Sequence, residues 1–202
     1  MERSTVALIL LYISAVSVSS GQPVLLDSAE GETVTFHTAV RNMQILLYNG
    51  DVIGDVTDGK VKPTRIERFK GRVHWNSSTE FFSITDLKMD DSGKYKAQSD
   101  DGRAVSEFQL TVHTPVSKPD VLQEEDHCTL RCSVERGTGV TLSWRRVDGQ
   151  VLNRPSPKNA PVSQLVTVTE GTYICEAKNP VSTERDSITM GKDCKSEFFT
   201  LH

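Results

Sequence analysis

The chain has 202 residues, with 23 lysines and arginines against 27 aspartates and glutamates, for a formal net charge of -4. This balance excludes a nucleic-acid binder that works by neutralising phosphates. Four cysteines are too few for a disulfide-dense miniprotein. No apolar run approaches the ~20 residues of a membrane-spanning helix. The length predicts two domains of about 100 residues each.

The first 20 residues have the three-part pattern of a secretory signal peptide. Arg3 gives a charged start, residues 6–18 form an apolar run, and small residues then predict cleavage after Ser20 or Gly21. A buried core helix is the weaker interpretation, because the apolar run shows no helical period. A secreted chain folds in an oxidising compartment, so its cysteines are expected to form disulfides.

The rest of the chain alternates apolar and polar residues over short stretches, as at 33–37, 107–112 and 140–144. Such strands predict an all-β sandwich or barrel. Pro115 and Pro119, with polar residues between them, predict a short stiff linker. We therefore expect one domain at 24–114 and a second at 115–196, with all four cysteines in the second.

The second half has the spacing of an immunoglobulin sandwich. Cys132 is followed 12 residues later by Trp144, and Tyr173 stands two residues before Cys175. In such domains the tryptophan packs on an inter-sheet disulfide and the tyrosine hydroxyl bonds to the backbone at a corner. The short interval between the two cysteines favours a constant-type domain.

The remaining cysteines suggest a second bridge. Cys128 and Cys132 are four residues apart on one strand and face the same side, so one can pair with Cys175 while the other reaches Cys194. We expect Cys132–Cys175 and Cys128–Cys194, although four cysteines allow three pairings. A zinc site at His127, Cys128 and Cys132 is disfavoured because the Cys-x-x-Cys spacing is absent.

The first half has the same fold pattern without its disulfide. Asp-Ser-Gly-x-Tyr at 91–95 marks the corner before strand F, and Ala97 occupies the usual cysteine position. Thr38 stands where the partner cysteine would lie on strand B, and Leu47 stands where strand C usually has tryptophan. A variable-type sandwich without a bridge is predicted. An ion pair from Arg68 to the aspartate of the corner is expected.

The stretch Tyr-Ile-Cys-Glu-Ala-Lys-Asn-Pro-Val-Ser at 173–182, together with the order of the two domains, resembles the SLAM family of leukocyte adhesion receptors (signalling lymphocytic activation molecules). The extra cysteine pair also fits this family, and the resemblance covers residues 24–194. It implies a cell-surface immune adhesion module that binds an immunoglobulin-superfamily receptor on an opposing cell, either a different receptor or a second copy of itself. It implies no cofactor, no nucleic acid and no small-molecule substrate.

The resemblance also implies that binding uses the GFCC′ sheet of the first domain. Alternation along its strands predicts which side chains point outward, although a register error of one residue would invert the set. A merely solvated sheet face is the competing interpretation. The predicted partner-binding residues are Leu46, Tyr48, Lys94, Lys96, Gln98, Glu107 and Gln109, with Asp51, Asp55 and Arg103 near the rim.

Asn76-Ser77-Ser78 is an N-glycosylation sequon. It lies near the predicted D–E turn, on the sheet opposite the predicted binding face. A glycan on Asn76 would therefore leave that face uncovered.

Other functions have weaker support. The phosphate-loop pattern at 54–61 fails because Val61 stands where Ser or Thr must bind the metal, and no Gly-x-Ser-x-Gly elbow occurs. We therefore expect no enzymatic activity and no catalytic or metal site. The basic segment 60–72 leaves open a secreted module that binds an anionic glycan such as heparin.

The end of the chain bears on localisation. No spanning helix and no hydrophobic tail for a GPI anchor follows Cys194. An extracellular location is therefore expected, either as a secreted form or as a receptor whose membrane-coding end is missing.

Overall fold

A computed structural model describes residues 21–38, 42–125, 128–152, 163–192 and Cys194. The predicted signal peptide at 1–20 lies outside the described residues. The first domain has nine described strands and short 3-10 helices at Glu67–Phe69 and Met89–Asp91. Its strands are β1 (Val24–Ala29), β2 (Val34–Phe36), β3 (Met43–Tyr48), β4 (Asp51–Thr57), β5 (Lys60–Val61), β6 (Val73–Asn76), β7 (Phe81–Ile84), β8 (Gly93–Ser99) and β9 (Val105–His113).

The second domain has six described strands. They are β10 (Asp120–Gln123), β11 (Thr129–Ser133), β12 (Thr141–Arg146), β13 (Ser163–Thr167), β14 (Gly171–Lys178) and β15 (Thr183–Met190). No helix in the described part of the chain has the length and apolar character needed to cross a membrane.

The first domain is a variable-type sandwich. One sheet has the order β1-β9-β8-β3-β4-β5 and the other the order β2-β7-β6. In immunoglobulin nomenclature β9, β8, β3 and β4 are strands G, F, C and C′, so the larger sheet carries the predicted binding face. Strand β1 runs parallel to β9, and the other strand pairs are antiparallel.

Aromatic rings fill the space where a disulfide usually joins the two sheets. The ring centroid of Phe36 lies 4.9 Å from that of Tyr95 and 5.2 Å from that of Phe108. Ala97 is buried beside them. All four cysteines of the chain lie in the second domain, so the first sandwich is closed without a bridge, as predicted.

The corner before β8 is held by a buried ion pair, but its arginine is not the predicted one. Arg72 donates from both terminal nitrogens to Asp91, over 2.7 and 3.0 Å, and this hydrogen bonding raises the pKa of Arg72. The expected Arg68–Asp91 pair is wrong. The 3-10 turn Glu67–Phe69 precedes β6 and brings Arg72 to the corner, while the guanidinium of Arg68 lies 4.4 Å from the ring centre of Tyr48.

The second domain is a constant-type sandwich closed by two disulfides. Its sheets are β10-β11-β13 and β12-β14-β15. Cys132 pairs with Cys175 and Cys128 with Cys194, at Cα separations of 6.3 and 5.2 Å. Both predicted pairings are confirmed, and they exclude a zinc site built on those cysteines. His127 of that zinc hypothesis lies outside the described residues.

The Asn-Pro-Val-Ser segment ties the linker to the second domain. Asn179 donates from its side-chain nitrogen to the carbonyl oxygens of Thr114 and Thr138, over 2.9 and 3.1 Å. The backbone nitrogen of Val116 donates to the hydroxyl of Ser182 over 2.8 Å. Buried Val116 joins the second core, so the chain is anchored directly after it leaves β9.

Candidate partner-binding face

The exposed side of the larger sheet in the first domain is made of cross-strand rows, and we call it the outer face. Two of its rows continue across β9, β8, β3 and β4, and a third crosses β9 and β8. By pairing register the rows are Glu107–Lys96–Leu47–Val52, Val105–Gln98–Ile45–Asp55 and Gln109–Lys94. The outer face therefore includes Lys94, Lys96, Gln98, Glu107 and Gln109 of the predicted set.

The predicted strand C residues are placed differently. Leu46 is fully buried in the first core, opposite Ala97, and Tyr48 packs against the same core. The prediction that both point outward is wrong. The pairing of β3 with β8 shifts between Met43 and Ile45, and such a bulge inserts one residue and breaks strict alternation. The outward residues of β3 are therefore Ile45 and Leu47.

Tyr48 has a structural role behind the face. Its hydroxyl donates to the carbonyl oxygen of Ser92 over 3.1 Å, and its ring centroid lies 5.0 Å from that of Tyr95. A Cβ added at Gly93 would come within 2.6 Å of the Tyr48 ring. The glycine of the Asp-Ser-Gly-x-Tyr motif thus leaves room for a tyrosine from strand C.

Sequence reasoning missed the apolar part of the outer face. Ile45 and Leu47 are half-buried there, and Val52 and Val105 keep 50% and 41% of their surface exposed. Met43 and Leu46 are both fully buried although they are three residues apart. The bulge between them lets both side chains point into the core. The apolar spacing of Met43 and Leu46 is the one signal in the sequence that departs from alternation.

Charged groups surround this apolar centre. Lys96 and Glu107 face each other across β8 and β9, and Lys94 lies in the adjacent row. None of these three takes part in an ion pair within the described residues. A shallow depression of about 570 Å³ lies among them, and it is lined also by Leu47 and Gln109.

The residues predicted for the rim differ in how many intramolecular contacts they make. Asp55 is bound by Lys62 at 3.0 Å, and Asp51 is exposed at the start of β4. Asp101 accepts hydrogen bonds from the Ser99 hydroxyl over 2.6 Å and from the Arg103 backbone over 3.1 Å. These bonds lower the pKa of Asp101, with the Ser99 hydroxyl as the larger cause.

The basic segment is largely occupied by intramolecular contacts, which disfavours the heparin interpretation. Lys62 pairs with Asp55, and Lys70 pairs with Glu67. Arg72 is buried against Asp91. The exposed cations that remain are too few for a continuous basic stripe.

The predicted glycosylation site lies away from the outer face. Asn76 ends β6, in the smaller sheet β2-β7-β6, and its side chain is exposed. A glycan there would project from the opposite side of the sandwich. Glycosylation of Asn76 stays a prediction.

No protein-family model matches the chain. Human SLAM family member 5 is 29% identical over 187 residues, which cover 81% of this chain and 52% of that protein. The mouse protein is 31% identical over 137 residues, which cover 62% and 40%. This chain is a relative of the SLAM family receptors. It spans about half or less of the length of these relatives.

The chain is also similar to a further adhesion protein and, in fold, to solved immunoglobulin structures. Human hepatic and glial cell adhesion molecule is 27% identical over 150 residues, covering 66% of this chain and 35% of that protein. The structure of the CD2-binding domain of CD58 superimposes with a TM-score of 0.72 at 22% identity, over 84% of this chain and 98% of that one. Murine CEACAM1b gives 0.58 at 18% identity, over 84% and 98%.

The two sets of matches support different conclusions. The solved structures show the fold, which is two tandem immunoglobulin sandwiches. The relatives are immunoglobulin-like adhesion receptors of the cell surface and are not enzymes. This chain therefore consists of two immunoglobulin sandwiches and is related in sequence to adhesion receptors.

Proposed function

We propose that this protein is an immune adhesion and recognition module that binds an immunoglobulin-superfamily receptor on an opposing cell through its outer face. The receptor can be a second copy of this protein or a different one. The observation that supports the proposal is an apolar centre that is partly exposed on a polar sheet face. It is bordered by Lys94, Lys96 and Glu107, which form no ion pair among the residues that the structure describes. The relationship to SLAM family receptors supports the same surface.

The composition of the outer face agrees with what is known of protein interfaces. Their cores are apolar and depleted of charge, while their rims are polar. Leu47 lies at the centre, with Val52 on one side and the opposed charges of Lys96 and Glu107 on the other. Binding energy is expected from the centre, and partner choice and association rate from the charges.

A charge-reversal experiment tests this proposal. Fluorescent tetramers of the protein are applied to cells that display either this protein or human SLAM family member 5 on their surface. The Lys94→Glu/Lys96→Glu variant should lose at least tenfold in apparent affinity, because ~1.4 kcal/mol of lost complementarity produces that change. Leu47→Glu should abolish binding, because it places a charge in the apolar centre.

The control carries the same charge change far from the outer face. Lys178→Glu/Lys192→Glu alters two exposed lysines of the second domain and should bind as the wild type does. All variants should keep the wild-type melting temperature. If the Lys94/Lys96 variant binds normally, the proposal that the outer face makes the contact is wrong.

A further inference from the structure

We propose that Phe81 and His37 form a packing site for the first N-acetylglucosamine of a glycan attached to Asn76. The site lies on the solvent side of the sheet β2-β7-β6. It is independent of the outer face and of the function proposed above.

The strand register brings the three residues into one row. Asn76 is the cross-strand partner of Phe81 in β6 and β7. Phe36 pairs with Phe82 in the neighbouring strands, so His37, the next residue along, lies beside Phe81. The ring centroids of His37 and Phe81 are 5.0 Å apart, with an interplanar angle of 77°.

This row faces solvent. Phe82 and Trp75 belong to the first core or pack against it, so their neighbours Phe81 and Asn76 point to the opposite side by alternation. His37 and Asn76 are exposed, and Phe81 is partly covered. The adjacent row is polar and consists of Thr35, Ser83 and His74. The two rings therefore form an isolated aromatic platform.

The amide of Asn76 is oriented for modification. Its carbonyl oxygen accepts hydrogen bonds from the backbone nitrogens of Ser78 and Thr79, over 2.8 and 3.2 Å. These bonds turn the side-chain nitrogen, which is the atom that receives the sugar, away from the turn. Ser78 supplies the hydroxyl that the sequon requires.

The spacing fits one sugar ring. Directly opposed residues of an antiparallel pair have Cβ atoms about 5 Å apart, so the ring attached to Asn76 reaches Phe81 without crossing a gap. One side of a pyranose ring presents C–H groups, which lose contact with water when they cover an aromatic ring. The glycan core therefore stabilises the folded first domain by covering Phe81.

The experiment separates the first sugar from the rest of the glycan. The protein is secreted from mammalian cells that make high-mannose glycans, and mass spectrometry measures the occupancy of Asn76. One sample is trimmed to a single N-acetylglucosamine by endoglycosidase H, and another is fully deglycosylated. The trimmed sample should keep the melting temperature of the first domain, whereas full removal should lower it by about 4–8 °C.

Two variants identify Phe81 as the platform. Phe81→Thr should abolish the difference between trimmed and fully deglycosylated protein. The same substitution in an Asn76→Gln background measures its effect without sugar, so the cycle isolates the sugar–ring contact. An unoccupied Asn76, no loss on full removal, or an equal loss in Phe81→Thr would each overturn the proposal.

Discussion

The two domains have the same fold but close their sheets by different means. In the second, Trp144 is paired with Cys175 across β12 and β14, and that cysteine bridges to the opposite sheet. In the first, the corresponding cross-strand pair is Leu46 and Ala97. The prediction that Leu47 takes the tryptophan position is therefore wrong, because the bulge in β3 turns Leu46 toward the core instead. A leucine and an alanine thus stand where the second domain has a tryptophan and a cysteine. In the first domain the rings of Phe36, Tyr95 and Phe108 pack together in the core.

Both domains retain the tyrosine corner. Tyr95 donates its hydroxyl to the Asp91 carbonyl oxygen over 2.6 Å, and Tyr173 donates to that of Thr169 over 2.9 Å. The first domain adds the Arg72–Asp91 ion pair at this corner. The corner is therefore common to both domains, whereas the two sheets can be joined by a disulfide or held by side-chain packing alone.

Reduction of the disulfides should give the largest difference between the domains. Each bridge contributes about 3–4.5 kcal/mol to the second domain in the chain-entropy model, so this domain should unfold in reductant. The first domain should keep its thermal transition. Calorimetry with and without dithiothreitol tests this, and a shift of both transitions would contradict it.

Loss of the buried carboxylate should weaken only the first domain. Asp91→Ala leaves the buried guanidinium of Arg72 without its partner, which typically costs about 3–5 kcal/mol. Urea unfolding measures the change. The neighbouring Asp90→Ala is the control, because Asp90 is exposed and should change the stability by less than about 0.5 kcal/mol. Equal effects would refute the structural role of the pair.

A smaller effect is expected where the strand C tyrosine meets the motif glycine. Gly93→Ala should destabilise the first domain by about 1–3 kcal/mol, because overpacking forces the Tyr48 ring to move. In a Tyr48→Val background the same change should cost little, since the ring is absent. Chemical unfolding of the four proteins tests this, and equal costs in both backgrounds would exclude the contact as the cause.

Alkaline pH should produce the smallest effect. Burial raises the pKa of Tyr95 far above its ordinary value, so the folded state keeps a proton that the unfolded state loses above pH ~10. Stability is therefore unaffected below that pH and falls above it, by up to about 1.4 kcal/mol per pH unit. Tyr95→Phe should flatten the decline in unfolding midpoints between pH 9 and pH 11. An unchanged slope in the variant would assign the decline to other groups.

Much of the fold was predictable, because disulfide and corner residues impose fixed spacings. The pattern of Cys132, Trp144 and Tyr173 determines strand identities without knowledge of local geometry. The arginine of the first corner was not predictable, since its position depends on a 3-10 turn with no side-chain cap at its start. Arg68 and Arg72 carry the same side chain four residues apart, and only the backbone path distinguishes them.

The outer face also has a part that the sequence predicts and a part that it does not. Outward positions on β8 and β9 followed from alternation, because the pairing of these strands has no irregularity. The prediction failed on β3, where the bulge after Met43 reverses the side on which Leu46 and Tyr48 lie. The spacing of Met43 and Leu46 is the only sequence sign of this bulge, and it does not show which neighbours form the apolar centre, so that centre became visible only in three dimensions.

The path of β9 has a mechanical consequence. This strand carries Glu107 and Gln109 of the outer face, and it continues directly into the anchored linker. It is paired at six positions with β1 on one side and at six with β8 on the other. Tension between a bound partner and the second domain would run along β9 and load these hydrogen bonds in shear, so that many must break together. We expect single-molecule pulling through this axis to meet more resistance than pulling that peels β9 off one pair at a time.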